Sequence, residues 1–443
     1  MDTPYLNSKD IFAVKAGELF GTEDEKVQII YAPLGGHVAL ATKAEVEEME
    51  RHTTDKADAQ IADFQAKGGV TVYHMPKHPE EVFQIDLLLN FTCNFKCIYC
   101  YSAQGRSNKE AAFEDVKTVI DYLFLSGRKQ PAPYIINFSG GGEPLMSFPL
   151  MKRVIEYIES VAENTDYKYS IGLVTNGSLI TPEITDFFKS HYIDMAVSFE
   201  ILQELQDKER GSYDKVASNI DMMLEKGYLF GIRTTFTPDS VARMEDMVEE
   251  VAKRFPRLKK MVYDVVLAPS LFPTVQSLDN YYDAFIDGFY KSKAKAAEYG
   301  ITLESIAVEL LSITRDRTCQ GKIVLTPHGH ISSCARVSSP VEKHYEDYVF
   351  GSTAAGTLSL DNESFAEIMQ TNNIHTKKEC HGCFARWNCG GGCRLFDQNF
   401  TEDYQEARCR FVRKALRRQL YGILCNNYGE ERLQNLVRNS IKG

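Results

Sequence analysis

The stretch from Cys93 to Cys100 brings three cysteines into eight residues, with the spacing Cys93-x3-Cys97-x2-Cys100. Cysteine thiolates bind zinc ions and iron–sulfur clusters, and both kinds of centre usually take four protein ligands. Three thiolates therefore predict one of two sites. One is a zinc ion whose fourth ligand lies elsewhere in the chain, and the other is a [4Fe–4S] cluster in which one iron stays open to a further ligand.

The other cysteines lie far along the chain. All eleven fall in two zones, 93–100 and 319–425, and the first 92 residues contain none. Because disulfides rarely persist in the cytosol, this clustering favours metal ligation. Cys425, which is left over, is expected to be a buried thiol on a helix. The rest of the second zone reads Cys319-x9-Gly329-x4-Cys334, then Cys380-x2-Cys383-x5-Cys389-x3-Cys393, then Cys409.

The composition is that of an ordinary globular protein. The chain has 443 residues, of which 44% are hydrophobic, and its formal net charge is −11. Because no block of basic residues stands out, nucleic acid and anionic membranes are not expected as partners. The first residues lack a signal-peptide pattern, and no apolar run reaches the roughly 18 residues of a membrane span. A cytoplasmic location is therefore expected.

The order of elements predicts the scaffold that positions the first cysteine zone. Alternating strand and helix patterns begin at about residue 82 and predict right-handed βαβ units in a parallel sheet, here an α/β partial (β/α)6 barrel of the TIM type. Catalytic residues of such a fold lie just after the strand ends, where the three cysteines stand. The predicted strands are 82–90, 134–139, 169–175, 193–199, 230–236 and 260–267, with helices near 109–126, 147–163, 182–190, 213–226 and 240–254.

Different patterns precede and follow this core. Residues 1–80 predict a small α+β unit with a hairpin around Gly35-Gly36 and two helices, near 43–52 and 55–67. After the core, helices are predicted near 278–298, 302–314, 403–424 and 428–441. The segment 319–409 is rich in Cys and Gly, and we expect it to fold around metal. The predicted domains are 1–80, 81–300 and 301–443.

The motif Cys-x3-Cys-x2-Cys after the first strand of a (β/α)6 pattern resembles the radical S-adenosylmethionine (SAM) superfamily. The resemblance implies that Cys93, Cys97 and Cys100 are catalytic and hold a [4Fe–4S] cluster whose open iron is chelated by SAM. It also implies reductive cleavage of SAM to a 5′-deoxyadenosyl radical, which abstracts hydrogen from a substrate. The cofactors then supply the chemistry, and the protein orients them.

Further motifs support the resemblance at the ends of the next strands. Gly141-Gly142-Glu143-Pro144 matches the family's GGEP motif, which binds the methionine amino group, and Thr175-Asn176-Gly177 also follows a family pattern. Where many relatives read Val-Ser-Ile-Asp-Gly, this chain reads Val197-Ser-Phe-Glu-Ile201. An arginine that follows can pair with the cofactor carboxylate, and Tyr99 matches an aromatic placed against adenine. The implied cofactor-binding residues are Tyr99, Gly141, Gly142, Glu143, Asn176, Ser198 and Arg210.

The second cysteine zone is similar to the SPASM extension of radical enzymes that modify peptides and proteins. The resemblance implies two auxiliary [4Fe–4S] clusters, hence three clusters in all, although a zinc site is the alternative. The position of a further cysteine in fully ligated members is Ile313 here, so the inner cluster lacks one ligand, for which Asp316, a neighbouring residue or a substrate group are candidates. The implied ligands are Cys380, Cys383, Cys389 and Cys409 for one cluster and Cys319, Cys334 and Cys393 for the other.

The substrate is expected to be a peptide. One interpretation is a maturase of ribosomal (RiPP) precursor peptides that forms a thioether or another crosslink, with residues 1–80 binding the leader as an added strand. A second is an anaerobic sulfatase maturase, but the aspartate expected after the second cysteine of the extension is Ala335 here, followed by Arg336. A peptide epimerase, with Cys425 as hydrogen donor, and a non-enzymatic iron–sulfur protein are further alternatives. A flavodoxin or ferredoxin is the expected reductant.

Overall fold

The computed structural model describes residues 4–15, 26–52, 54–66, 68–354 and 356–442, with side chains up to residue 437. The chain forms two compact units. The first, here called the cysteine-rich unit, comprises Met1–Met75, Ile306–Gln320 and Gln370–Gly443. The second, here called the sheet unit, comprises Pro76–Ser305 and Gly321–Met369.

The bounds of the regular elements are as follows. The strands are β1 Phe12–Lys15, β2 Val27–Ala32, β3 His37–Thr42, β4 Val72–Tyr73, β5 Gln84–Leu87, β6 Tyr134–Phe138, β7 Tyr169–Thr175, β8 Asp194–Ser198, β9 Gly231–Phe236, β10 Lys260–Val265, β11 Thr302–Glu304, β12 Thr314–Arg315, β13 Ile323–Leu325, β14 His330–Ser332, β15 Val349–Ala354 and β16 Thr357–Leu360. The α-helices are α1 Tyr5–Ser8, α2 Lys43–Arg51, α3 Asp55–Gln65, α4 Phe113–Leu125, α5 Phe148–Ala162, α6 Pro182–Ser190, α7 Gln203–Glu209, α8 Tyr213–Glu225, α9 Met244–Arg254, α10 Val275–Glu298, α11 Asn362–Gln370, α12 Arg386–Cys389, α13 Arg394–Asn399, α14 Glu402–Tyr428 and α15 Glu430–Lys442.

The sheet unit is built on one large sheet with the order β11-β10-β9-β8-β7-β6-β5-β13-β14-β15-β16. Strands β5 to β10 lie side by side and parallel, in chain order, as predicted. Each is followed by a helical connection, so the predicted (β/α)6 core is confirmed. Strands β11 and β13 extend the parallel part at its two sides, and β14 to β16 continue it antiparallel.

The helices of this unit bury one face, as their sequence pattern predicts. Helix α5, for example, buries Met151, Val154, Ile155 and Ile158, a spacing that places them on one side of a helix. The short helix α7 was not predicted, because most of its seven side chains are charged or are glutamines, and they show little apolar periodicity.

Two sequence predictions for the region after α10 are wrong. Residues 302–314 do not form a helix, because β11 pairs with β10 and buries Leu303, and β12 pairs with β4. The segment 319–409 contains more regular structure than expected, since its first part supplies β13 to β16. Tertiary pairing overrides the weak local pattern in both cases.

The cysteine-rich unit joins both ends of the chain. Strands β1, β2 and β3 form an antiparallel sheet, of which β1 was not predicted, and α2 and α3 follow as expected. Tyr31 donates a hydrogen bond to the Asn388 side chain (2.6 Å), and the Trp387 indole donates to Asp10 (2.6 Å). Among the described residues, no helix has the length and apolar character needed to cross a membrane.

Candidate active site and second cysteine centre

The first three cysteines lie on the loop that follows β5, at the carboxyl end of the parallel strands. All three thiols are half-buried. The backbone N–H of Cys100 donates to the carbonyl of Cys97 (3.2 Å), and the N–H of Phe95 donates to the Cys93 sulfur (3.5 Å). Burial raises the pKa of Cys93 and of Cys97, so these thiols need a positive partner to ionise.

The turn after β6 holds the start of this loop. The N–H of Gly142 donates to the Asn90 carbonyl (2.9 Å), and the N–H of Glu143 donates to the Thr92 carbonyl (2.8 Å). A β-carbon on Gly142 would lie 2.0 Å from the Thr92 carbonyl oxygen. Only glycine therefore permits this approach of the two backbones.

The Glu143 side chain joins the turns after β6 and β7. It is 3% exposed, and its carboxylate accepts hydrogen bonds from the Thr175 hydroxyl (2.6 Å), the Asn176 N–H (2.7 Å) and the Leu145 N–H (3.1 Å). Burial raises its pKa, against the effect of these three bonds. The side chain thus organises the GGEP turn.

The turn after β7 holds the middle of the loop through side chains. The Asn176 amide donates to the Asn94 side chain (2.9 Å), and Asn94 donates to the Ser178 hydroxyl (2.8 Å). Ser178 in turn donates to the Asn176 side-chain oxygen (2.7 Å). Asn94 lies between Cys93 and Cys97, so this closed set of bonds fixes the loop against β7.

A buried charged cluster after β8 holds the end of the loop. Tyr99 donates to the Glu200 carboxylate, the Arg210 guanidinium donates to the Tyr99 oxygen (3.0 Å), and Arg210 lies 3.8 Å from Glu200. The Ile98 N–H also donates to the carbonyl of Glu209 (3.0 Å), next to Arg210. Tyr99 and Arg210, predicted separately as cofactor contacts, are therefore brought together. Ser198 ends β8 and is half-buried.

Sequence reasoning missed the role of Glu200. This residue is 0% exposed, and burial raises its pKa to about 8, although Arg210 and the Tyr99 hydroxyl act in the opposite direction. The sequence feature that could have identified Glu200 is its position two residues after Ser198, as an acid in an otherwise apolar stretch. A buried acid with a raised pKa at a strand end is a candidate functional residue.

Arg106 contacts the first cysteine centre directly. Its guanidinium donates to the Cys100 sulfur (3.3 Å) and to the carbonyl of Phe95. Its Nε is buried and has no hydrogen-bond partner within the described residues. Half-buried thiols on one preformed loop, with a cation against one of them, fit a cluster of thiolate ligands.

A second cysteine centre lies in the cysteine-rich unit. Burial raises the pKa of Cys380 to about 12 and that of Cys409 to about 11, and it also raises the pKa of Cys383. Lys377 and Arg413 stand near these sulfurs and act in the opposite direction. The residues that line one pocket of this unit include Cys380, Cys383, Cys389 and Cys409, which are the four predicted ligands of one auxiliary cluster.

In the part of the chain that the structure describes, no three His, Cys, Asp or Glu side chains are close enough to share one metal ion.

The remaining predicted ligands are divided between the units. Cys319 and Cys393 lie in the cysteine-rich unit, and Cys334 lies in the sheet unit. The segment before Cys319 is bonded to the turn after Cys389, because the Thr318 N–H donates to the Gly390 carbonyl (2.7 Å). The carboxylate of Asp316 accepts from the Met75 N–H (2.7 Å) and contacts His74 (2.9 Å), so both its oxygens are already engaged.

Comparison with known families gives one matching model. The model of the Radical SAM superfamily matches residues 88–251. This range begins directly after β5 and ends within α9, so it covers the first three cysteines and the turns that hold them.

Several curated relatives are similar over parts of the chain. An uncharacterized protein of Methanocaldococcus jannaschii is 33% identical over 171 residues, which are 37% of this chain and 57% of the relative. The radical SAM cyclopropyl synthase TigE of Paramaledivibacter caminithermalis is 23% identical over 71% of this chain and 68% of its own length. A cysteine-type anaerobic sulfatase-maturating enzyme of Clostridium novyi is 20% identical over 68% of this chain and 85% of its own length.

Solved structures share the fold over most of the chain. The enzyme anSMEcpe with bound AdoMet and the Kp18Cys peptide has a TM-score of 0.59 at 15% identity, covering 77% of this chain and 99% of its own. SuiB of Streptococcus suis bound to the precursor peptide SuiA has a TM-score of 0.52 at 12% identity, covering 89% of this chain and 97% of its own.

Proposed function

We propose that the protein is a radical SAM enzyme that forms an oxidative crosslink in a ribosomally made precursor peptide, since the model of the Radical SAM superfamily matches residues 88–251. The observation that carries the proposal is the loop of Cys93, Cys97 and Cys100, which three successive strand-end turns hold by hydrogen bonds. Enzymes of this architecture carry their active sites after the C-terminal ends of the parallel strands, and this loop lies there.

The residues around the loop divide the work of binding. Cys93, Cys97 and Cys100 would hold the [4Fe–4S] cluster, and Gly141, Gly142 and Asn176 would present backbone and amide groups to SAM. When bound, the cluster and SAM together supply a 5′-deoxyadenosyl radical. Arg210 and Tyr99, oriented by buried Glu200, would hold the charged and aromatic parts of the cofactor, and Ser198 would contact it from β8.

The second cysteine centre supports an oxidative reaction. A crosslink between a C–H carbon and a thiol, an amine or another carbon removes two electrons and two protons from the substrate. The radical takes one hydrogen atom, and a redox-active cluster would supply an acceptor for the second electron, which zinc cannot. We assign one auxiliary cluster to Cys380, Cys383, Cys389 and Cys409, which line one pocket. The assignment of Cys319, Cys334 and Cys393 to another follows the sequence resemblance.

The likeness to TigE, and to SuiB and anSMEcpe in their peptide complexes, supports a peptide as substrate. We propose that residues 1–80 bind its leader segment. The antiparallel sheet of β1, β2 and β3 lies in this part of the chain, and an extended peptide can add to a sheet edge. A flavodoxin or ferredoxin would supply the electron, and free thiols with metal clusters suit the cytoplasm.

A second candidate is formylglycine formation by an anaerobic sulfatase maturase. It is supported by the similarity to the Clostridium novyi enzyme over 85% of that enzyme's length. Against it stands Ala335, where that subfamily is expected to carry an aspartate directly after the second cysteine of the extension. A peptide epimerase is a further candidate, with Cys425 as the hydrogen donor.

The chemistry is tested by anaerobic reconstitution of the whole chain with iron and sulfide. We expect roughly twelve irons per chain, at four per cluster, and release of 5′-deoxyadenosine from SAM after reduction. Cys97→Ala should abolish this release, while Cys425→Ala, the matched control, should keep it. Release that persists in Cys97→Ala would sink the proposal. A chain that binds clusters but never cleaves SAM would instead be a non-enzymatic iron–sulfur protein.

The substrate is tested by offering two peptides to the active enzyme. One is the product of a short open reading frame beside the gene, and the other is a sulfatase segment with its target cysteine or serine. Loss of two hydrogens with a new link between residues of the first supports the crosslink. Formylglycine in the second supports the maturase, and solvent deuterium at an α-carbon without loss of mass supports the epimerase.

A further inference from the structure

The residue after the third cysteine, Tyr101, is 44% exposed, so its side chain borders open space beside the cysteine loop. The ionisable groups near its hydroxyl are Arg336, Cys100, Asp86 and Arg233. The cysteine loop, β5 and β9 therefore bring charged side chains together around this exposed ring.

Most of the charged groups near the Tyr101 hydroxyl are paired within the protein. Asp86 on β5 accepts from Lys322 (2.8 Å) and from the Asn137 amide (3.1 Å). Arg233 on β9 forms an ion pair with Asp264 on the neighbouring strand β10. Each of these pairs brings together one cation and one carboxylate, so neither leaves a free charge for a ligand.

Arg336 is the exception. Its guanidinium lies 5.0 Å from the centre of the Tyr101 ring, and it makes no ion pair or hydrogen bond within the described residues. Stacking on an aromatic ring leaves the N–H groups at the edge of the guanidinium available. Because Arg336 is half-buried, a carboxylate that reached it would be screened by solvent less than on an open surface.

The backbone before Arg336 is fixed against the cysteine loop. A β-carbon on Gly140, in the turn after β6, would lie 3.2 Å from both the β-carbon and the carbonyl oxygen of Ala335. Ala335 also packs against the cluster of Leu88, Phe91 and Val324. The backbone that carries Arg336 is therefore well supported beside the turn that holds the loop. At the preceding position, Ala335, the sulfatase-maturase pattern has an aspartate instead.

We propose that Arg336, stacked on Tyr101, binds a carboxylate of the peptide substrate next to the first cysteine centre. The carboxylate is a glutamate or aspartate side chain or a free peptide C-terminus. A guanidinium fork pairs with a carboxylate through two parallel hydrogen bonds, so the contact both selects an acidic group and orients it. This inference rests on the proposed function, because it names the chemistry of that site's substrate.

Three small probes test the inference on the reconstituted whole chain with SAM bound. They are N-acetyl-glutamate methylamide, its glutamine analogue and N-acetyl-alanine with a free carboxylate, and binding is measured by anaerobic calorimetry. We expect at least one acid to bind about tenfold tighter than the glutamine analogue, since hydrogen bonds to charged groups are worth more than neutral ones. The glutamate probe reports a side-chain carboxylate, and the alanine probe reports a terminal one.

Three variants give this comparison its control. Arg336→Gln should remove the preference, and Arg336→Lys should keep part of it, because lysine retains the charge without the fork. Arg153→Gln removes another arginine stacked on a ring, that of Phe113 at 3.5 Å on α4, and should leave the preference unchanged. Equal binding of all probes, or a preference that survives in Arg336→Gln or vanishes in Arg153→Gln, overturns the inference.

Release of 5′-deoxyadenosine without peptide separates this inference from the proposed function. If the wild-type chain never cleaves SAM, the proposed function fails, while the carboxylate preference still stands or falls by calorimetry. If Arg336→Gln alone stops peptide-free cleavage, the residue contacts the cofactor, and the inference is overturned although the proposed function stands.

Discussion

The two cysteine centres are positioned by different means. The loop of Cys93, Cys97 and Cys100 is bonded to the turns after three successive parallel strands. The centre of Cys380 to Cys409 lies among short helices of four and six residues and three consecutive glycines with φ of 71°, 83° and 86°, and only its last ligand stands on a long helix. The first centre is thus held by its fold, whereas we expect the second to depend on a bound cluster for its order.

Removal of the clusters should separate the two centres most strongly. With iron chelated anaerobically, we expect amide protection in residues 371–401 to be lost almost completely, because helices this short are not stable without tertiary support. Strands β5 to β10 should keep their protection. Hydrogen exchange followed by mass spectrometry measures both regions in one sample. Equal loss of protection in both regions would mean that the first centre also depends on its cluster.

One glycine tests whether the first centre is held by backbone contacts. Gly142→Ala places a β-carbon 2.0 Å from the Thr92 carbonyl oxygen, so the turn after β6 must move away from the loop. We expect the free energy of unfolding to fall by about 3 kcal/mol and cluster incorporation at the first centre to fall with it. Urea unfolding and iron analysis measure the two effects.

Gly231→Ala is the matched control for this change. A β-carbon on Gly231 would make only ordinary van der Waals contacts, the nearest at 3.5 Å. The free energy of unfolding of this variant should therefore stay within about 1 kcal/mol of wild type. A similar loss of stability in both variants would mean that any added methyl group in the sheet is costly, and that the close approach at Gly142 has no special weight.

The two cysteine centres also differ in how much of their structure the sequence could predict. The strands around the first centre could be predicted, because each apolar strand pattern is followed by a helix and the cysteines stand where such sheets carry their sites. Glu200 could not be assigned, because its partner Tyr99 is 101 residues away in the chain and no local pattern links them. The cysteines of the second zone could be found by spacing alone, but the bond between Thr318 and Gly390 joins distant loops without periodicity.

Glu200 makes the first centre sensitive to pH. Its pKa is raised to about 8 by burial, against about 4.3 in an unfolded chain. Between these values the folded state keeps a proton that the unfolded state has released, so the free energy of unfolding falls as the pH rises through this window. From pH 5 to pH 8 the wild type should lose on the order of 3 kcal/mol more than Glu200→Gln.

Urea unfolding of the metal-free chain at several pH values measures this difference. Glu204→Gln, an exposed carboxylate on the following helix paired with Arg243, serves as the control and should keep the wild-type pH dependence. If Glu200→Gln and wild type lost stability in parallel, the Glu200 carboxyl would not titrate in this range, and the charged cluster after β8 would be an ordinary ion pair.

The smallest expected effect concerns the arginines that face each centre. Arg106 donates to the Cys100 sulfur and forms no ion pair with a carboxylate in the described part of the chain, whereas Arg413, beside Cys383, is paired with Glu406 (2.5 Å). Hydrogen bonds and positive charge at the sulfurs raise a cluster's reduction potential. The unpaired Arg106 should therefore stabilise the reduced first cluster more than Arg413 stabilises the second.

Redox titration followed by electron paramagnetic resonance measures this difference, with the first cluster identified by the change in its spectrum when SAM is added. Arg106→Gln should lower the ratio of reduced to oxidised first cluster about tenfold at a fixed potential, a shift of about 59 mV for one electron. Arg413→Gln should shift the second cluster by less, and Lys109→Gln, an exposed charge near Arg106, should shift neither. Arg106→Lys separates charge from geometry, because it restores the potential only if the charge alone is responsible. An unchanged first-cluster potential in Arg106→Gln would mean that this arginine only closes the loop through the Phe95 carbonyl.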